Sequence, residues 1–269
     1  MSFLLFQKKY FSGGAATSRG LVRKDNQDSY SCIDASGLFA VSDGMGGGDA
    51  GDQASAIVIQ TLESAARQPM KDLSSVKQLM HRANREICEY ASKHYLHGMG
   101  ATVVGILLAP FLPAKALLFF SGDSRCYRLR NHSLEQISND HSIAAAMGVP
   151  EEKLSRHLQG IITNAVGCGS TFFLETHDME LRSGDSYLLC SDRVSRQLPK
   201  EEILKIMDSD LSAAQKAKEL VDASDRHGGR DNATAVVVSF SELPEITQEI
   251  RQEEMDCPDF PDCDASPAK

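Results

Sequence analysis

The sequence predicts an α+β fold built in layers, on three observations. Apolar runs of strand length recur along most of the chain, helix-period patterns come in two groups, and no internal repeat is present. Strict alternation of strand and helix would indicate a doubly wound parallel sheet, whereas this grouping indicates an α+β layering. The chain has 269 residues, 42% of them hydrophobic, enough to bury a full core.

The elements follow in order. Runs rich in Val, Leu, Phe and Tyr predict strands at about 29–33, 38–42, 101–108, 116–121, 126–130, 172–179, 187–190 and 233–240. Between the second and third, Ala54, Ile57, Val58, Thr61, Leu62 and Ala65 share one helical face, and Leu79, Ala83, Ile87 and Tyr90 share another. Two later helices are predicted over 200–207, after Pro199, and over 212–224, where Ser212 can cap the first turn. From about Leu243 the composition turns to Glu, Asp, Gln and Pro, so a domain over 1–242 and a disordered acidic tail over 243–269 are expected.

Composition excludes several functions. A net charge of -9 argues against a nucleic-acid partner, which would need clustered Lys and Arg. The N-terminus places its apolar patch, Phe3 to Phe6, before Lys8 and Lys9, the reverse of an export signal, and the run 103–112 is too short to span a membrane. Seven scattered cysteines without zinc spacing predict buried, reduced thiols in a cytoplasmic protein, with Cys257 and Cys263 able to pair in the tail.

The informative feature is a set of aspartates at strand ends. Asp43 ends an apolar run and opens a glycine-rich stretch, Gly44 to Gly48; Asp123 lies in Gly-Asp-Ser-Arg; Asp192 follows the run ending at Ser191; Asp231 precedes the last strand. Each alone reads most simply as a turn residue. Together, and without nearby His or Cys, they form a hard oxygen donor set suited to Mg²⁺ or Mn²⁺ rather than zinc.

Taken with Arg23-Lys24-Asp25-Asn26-Gln27-Asp28, Gly51-Asp52-Gln53-Ala54-Ser55, Met99-Gly100-Ala101-Thr102, Asp140-His141-Ser142 and Gly229-Arg230-Asp231-Asn232, these segments resemble the metal-dependent serine/threonine protein phosphatases of the PPM, or type 2C, family, in its compact bacterial form. The resemblance is ordered and runs from about Arg19 to Phe240. It implies a four-layer α-β-β-α sandwich of two antiparallel sheets, and a two-ion site that hydrolyses phosphoserine or phosphothreonine with an activated water. By motif match it implies that Asp43 bridges the ions, the Gly44 carbonyl joins it, Asp192 and Asp231 complete the set, and Arg23 holds the substrate phosphate. Asp28 is expected behind the ligands, and Asp123 at a third, weaker ion. It also implies phosphoprotein substrates, with a serine/threonine kinase or its targets among them.

The chain departs from the family pattern after Asp192. Relatives continue Asp-Gly-Leu-x-Asp, where this chain has Asp192-Arg193-Val194-Ser195-Arg196. A guanidinium in place of a carboxylate repels a cation, so two ions with a weak or absent third are expected. The same substitution supports an alternative, an inactive relative that binds a phosphoprotein through the cleft. Gln27, Gly48 and Asp52 are smaller departures, and Met45 stands where some relatives carry His. His141 is expected to cap or pack rather than to act.

Overall fold

A computed structural model describes residues 10–46, 50–66, 73–108, 114–169 and 172–243. Its strands are β1 (Phe11–Ser18), β2 (Asp28–Ile33), β3 (Leu38–Met45), β4 (Gly100–Ala101), β5 (Val103–Leu108), β6 (Lys115–Ser121), β7 (Arg125–Arg130), β8 (Ser133–Gln136), β9 (Glu175–Glu180), β10 (Ser186–Cys190) and β11 (Ala233–Phe240). Its helices are α1 (Ala50–Ala66), α2 (Leu73–Lys93), α3 (Ile143–Met147), α4 (Asp192–Gln197), α5 (Lys200–Met207) and α6 (Ala213–Arg226), with a 3-10 turn at Glu151–Lys153.

Two antiparallel sheets result. One is ordered β1-β11-β10-β7-β8, and the other β2-β3-β5-β6-β9 with β4 attached to β3. Side chains alternate across each strand, and the alternation sorts the core into three interfaces. Leu38, Val103 and Phe119 pack with Val58, Leu62, Met80 and Ile87 of α1 and α2. Phe39, Val41, Val104, Tyr187, Leu189 and Val236 fill the space between the sheets. Leu188, Cys190, Ala235 and Val237 face Ala217 and Leu220 of α6 and Ile203 of α5. Three apolar interfaces require four layers, α-β-β-α. Central strands covered on both faces are largely apolar, which is why 233–240 reads as an apolar run broken only by Thr234 and Ser239.

The predicted helices are present, and Ser212 caps α6 in a full capping box with Gln215. The predicted strand 172–179 begins instead at Glu175: Phe172 packs against the α1–α2 core and Phe173 is exposed. The run 101–108 is interrupted at Thr102, whose side chain is committed to other partners. β1, β8, α3 and α4 were not predicted. β1 contains Gly13-Gly14, a pair depleted in strands, yet it pairs with β11 along its whole length. β8 follows a turn in which Asn131 and His132 take positive φ, without the glycine that usually signals such a hairpin.

Cys126 and Cys190 are buried as expected, but Cys168 is exposed, and all five described cysteines are free. Among the described residues, no helix is long and apolar enough to cross a membrane. Leu243 packs on the inter-sheet core. The rest of the acidic tail, the Cys257–Cys263 pair, the N-terminal patch, and Gly47 and Gly48 lie outside the described residues.

Candidate metal centre

The predicted acidic residues meet at one end of the sandwich, contributed by both sheets. Antiparallel pairing of β2 with β3 sets Asp28 directly opposite Asp43. Like charges in that position destabilise a sheet, so the pair works against the fold that carries it. Asp192 is the first residue of α4 and Asp231 immediately precedes Asn232 and β11. Asp123 lies in the tight link between β6 and β7.

The backbone beneath these carboxylates is tied down. The Asp43 amide donates to Thr102 Oγ1 at 3.0 Å, the Thr102 amide donates to the Asp43 carbonyl at 2.8 Å, and Ser42 Oγ donates to the Thr102 carbonyl at 2.7 Å. Thr102 Oγ1 also bonds Ser124 Oγ at 2.7 Å, joining Asp43 to the Asp123 link. On the other sheet, Asn232 Nδ2 donates to the carbonyls of Arg19 and Asp25, and its Oδ1 accepts from the Gln27 amide at 2.8 Å. That side chain staples the Arg23 loop to Asp231. Thr102, Ser124 and Asn232 all lie inside motifs quoted from the sequence, but their roles as supports were not deduced there.

Charge repulsion is visible in the protonation equilibria. Burial, then Asp28, Asp192, Asp123 and Asp231, push the Asp43 carboxyl well above its usual range. Burial raises Asp28 to about 7, against hydrogen bonds from Thr234 and Ser191, and burial with Asp192 raises Asp123 to about 7 despite Arg196. Asp28 Oδ2 accepts from Ser191 Oγ at 2.9 Å, while its buried Oδ1 has no partner. An orphaned oxygen among mutually repelling carboxylates fits a divalent cation, which supplies the missing charge.

Arginines balance part of the cluster's charge. Arg23 and Arg193 converge on Asp231 Oδ2 at 2.7 and 3.4 Å, and Arg196 pairs with Asp123 and Asp192. Arg23, expected on the substrate phosphate, here engages Asp231. Its side chain is 51% exposed, at the rim. Among the described residues, no three His, Cys, Asp or Glu side chains lie close enough together to hold an ion.

His141 packs against Phe120, with ring centroids 5.6 Å apart, as expected, and is also held by polar bonds. Its Nδ1 accepts from the Gly122 amide at 3.3 Å and its Nε2 meets Glu175 Oε2 at 3.2 Å; the cap of α3 is Ser142, not His141. Arg125 clamps Asp140 with three hydrogen bonds, which fixes the neighbouring loop.

Asp28→Asn is expected to stabilise the metal-free protein in a pH-dependent way. Because the folded-state pKa of Asp28 is raised to about 7, ionising it costs nothing below about pH 4, and the cost grows as pH rises and is complete above about pH 7. The Asn variant, which still accepts from Ser191, should match the wild type in stability near pH 4 and exceed it above pH 7, by on the order of 4 kcal/mol. Thermal melts in chelator at both pH values measure this; a gap independent of pH would count against the raised pKa of Asp28.

A cleft that gathers five aspartates from two sheets, with an arginine at its rim, defines a metal-assisted phosphomonoester hydrolase. Residues 13–224 match the family model of protein phosphatase 2C, and the chain belongs to that family. It is a serine/threonine protein phosphatase. The serine/threonine phosphatase stp of Listeria monocytogenes is 30% identical over 237 residues, covering 82% of this chain and 93% of the relative. PstP of Mycobacterium tuberculosis is 35% identical over 231 residues, 83% of this chain and 44% of that longer protein. The solved catalytic domain of PstP in complex with two manganese ions superimposes with a TM-score of 0.76 at 32% identity, covering 86% of this chain and 99% of that one.

Proposed function

We propose that the chain hydrolyses phosphoserine and phosphothreonine in other proteins with two divalent ions, Mn²⁺ or Mg²⁺, held by Asp43, Asp192, Asp231 and the Gly44 carbonyl. The observation that carries this reading is the orphaned, charge-repelling aspartate cluster itself. The likeness to a PstP domain that carries two manganese ions supports the ion count. When bound, the ions would activate a water and neutralise charge on the phosphoryl oxygens.

The chain's own residues supply the rest. Thr102 and Ser42 hold Asp43 in register through its backbone, leaving its carboxylate free for ligation. Arg23, half exposed and tethered to the Asn232 staple through its loop, is placed to exchange Asp231 for a substrate phosphate, a charge-assisted contact that can be bidentate. Asp28 sits behind Asp43, bonded to Ser191, and orients the site rather than touching substrate. The phosphatase domain is assigned to 1–242, with 243–269 a separate acidic segment. Free thiols support a cytoplasmic setting, where a serine/threonine kinase or its targets would be the phosphorylated partners. The inactive alternative gains nothing from the relatives, which carry phosphatase names.

The test is hydrolysis of p-nitrophenyl phosphate and a phosphothreonine peptide with Mn²⁺, with chelator, and after Mn²⁺ is returned. Turnover should vanish with chelator and recover on re-addition. Chelator-insensitive turnover would overturn the metal mechanism.

A further inference from the structure

Arg196 replaces a carboxylate of the family pattern, and each of its guanidinium nitrogens meets a different acid. Nη2 lies 2.8 Å from Asp123 Oδ2, Nη1 lies 3.0 Å from Asp192 Oδ2, and Nε lies 3.4 Å from Glu151 Oε2. The three acids come from the β6–β7 link, the first turn of α4 and the 3-10 turn. Glu151 passes the connection on, because its Oε1 accepts from the Gly160 amide at 2.6 Å.

Two consequences follow from this geometry. Asp123 is almost fully buried, 3% exposed, and a buried carboxylate needs a countercharge. A guanidinium already supplies one, and a second cation arriving there would be repelled. The segment carrying α3 and the 3-10 turn, in contrast, buries no residue of either element. Over 151–160 Leu154 alone is buried, so the order of this segment leans on polar tethers, and the Arg196–Glu151–Gly160 link ties it to the acidic cleft.

We propose that Arg196 is a positioning residue with two coupled duties: it is a resident cation that takes the place of an ion at Asp123, and through Glu151 it latches the 151–160 segment beside the cleft. The first duty rests on the two-ion reading above; the second does not. A planar fork suits three acids at once, whereas a lysine ammonium is a compact point charge.

The experiment combines Mn²⁺ calorimetry with hydrogen exchange of the full chain in chelator, on wild type, Arg196→Ala, Arg196→Lys and Glu151→Gln. Arg196→Ala should add a weak Mn²⁺ site and speed exchange over 151–160 by about tenfold, the scale of one lost charge-assisted bond. Arg196→Lys should restore the wild-type ion count but not the protection. Glu151→Gln retains an acceptor for Gly160 and loses only the ion pair, so it should speed exchange while leaving the Mn²⁺ titration unchanged. It also keeps the latch testable if Arg196→Ala fails to fold. A Mn²⁺ titration of Arg196→Ala that superimposes on the wild type overturns the resident cation. Unchanged exchange in both Arg196→Ala and Glu151→Gln overturns the latch. A wild type that takes up no Mn²⁺ defeats the two-ion reading and the resident cation with it, leaving exchange to decide the latch.

Discussion

Asp43→Asn is expected to lower kcat by about a thousandfold or more, the scale on which removing one element of a preorganised electrostatic site acts. The substitution is nearly isosteric, and the bonds from Thr102 and Ser42 reach the backbone and its neighbours, so the fold has no reason to change. A second signature separates this from simple damage. Asp43 faces Asp28 across β2 and β3 and is repelled by four other aspartates, so removing its charge should leave the metal-free protein at least as stable as the wild type near neutral pH. Loss of turnover together with an equal or higher Tm in chelator identifies a ligand kept for function at the expense of stability. Turnover within tenfold of wild type would remove Asp43 from the centre.

Gly14→Ala is expected to destabilise the protein by about 3 kcal/mol, as overpacking at a rigid contact does. For a domain of this size that lowers Tm by roughly 6–12 °C. An added Cβ at Gly14 would lie 2.1 Å from the Ala214 nitrogen and 2.3 Å from its Cα, so β1 and the first turn of α6 must separate. Both obstacles are backbone, and neither can rotate away. Gly13→Ala is the internal control: its Cβ meets side-chain atoms of Phe39, Asp34 and Cys32, which have some freedom to adjust. Urea unfolding of the two variants should rank Gly14→Ala as the more costly, and the reverse order would contradict the β1–α6 approach.

These outcomes also bear on what the sequence could reveal. Strands buried on both faces, such as β5 and β11, announce themselves as predominantly apolar runs. β1 does not, because the same close approach that requires Gly14 strips it of strand-forming side chains. α4 spans only Asp192–Gln197, too few residues for a helical period to register. The aspartates were legible because each ends or precedes an apolar run. The ion pairs were not, since Arg196 and Asp123 stand 73 positions apart and Arg23 and Asp231 stand 208 apart. The two arginines after Asp192 were recognised as a departure, but what they hold depends on the fold. Glu151 offered no sequence signal.

The order β1-β11-β10 places the first described strand beside the last, and among the described residues β11 is the one strand that β1 pairs with. A chain emerging from the ribosome can pair β2 with β3, and so set Asp28 against Asp43, long before β11 and Asp231 have been made. Through most of synthesis the nascent chain therefore carries half of a charged site and an unpaired edge, a state exposed to misassembly. The acidic cluster is complete only once β1 and β11 have brought the two ends of the domain together.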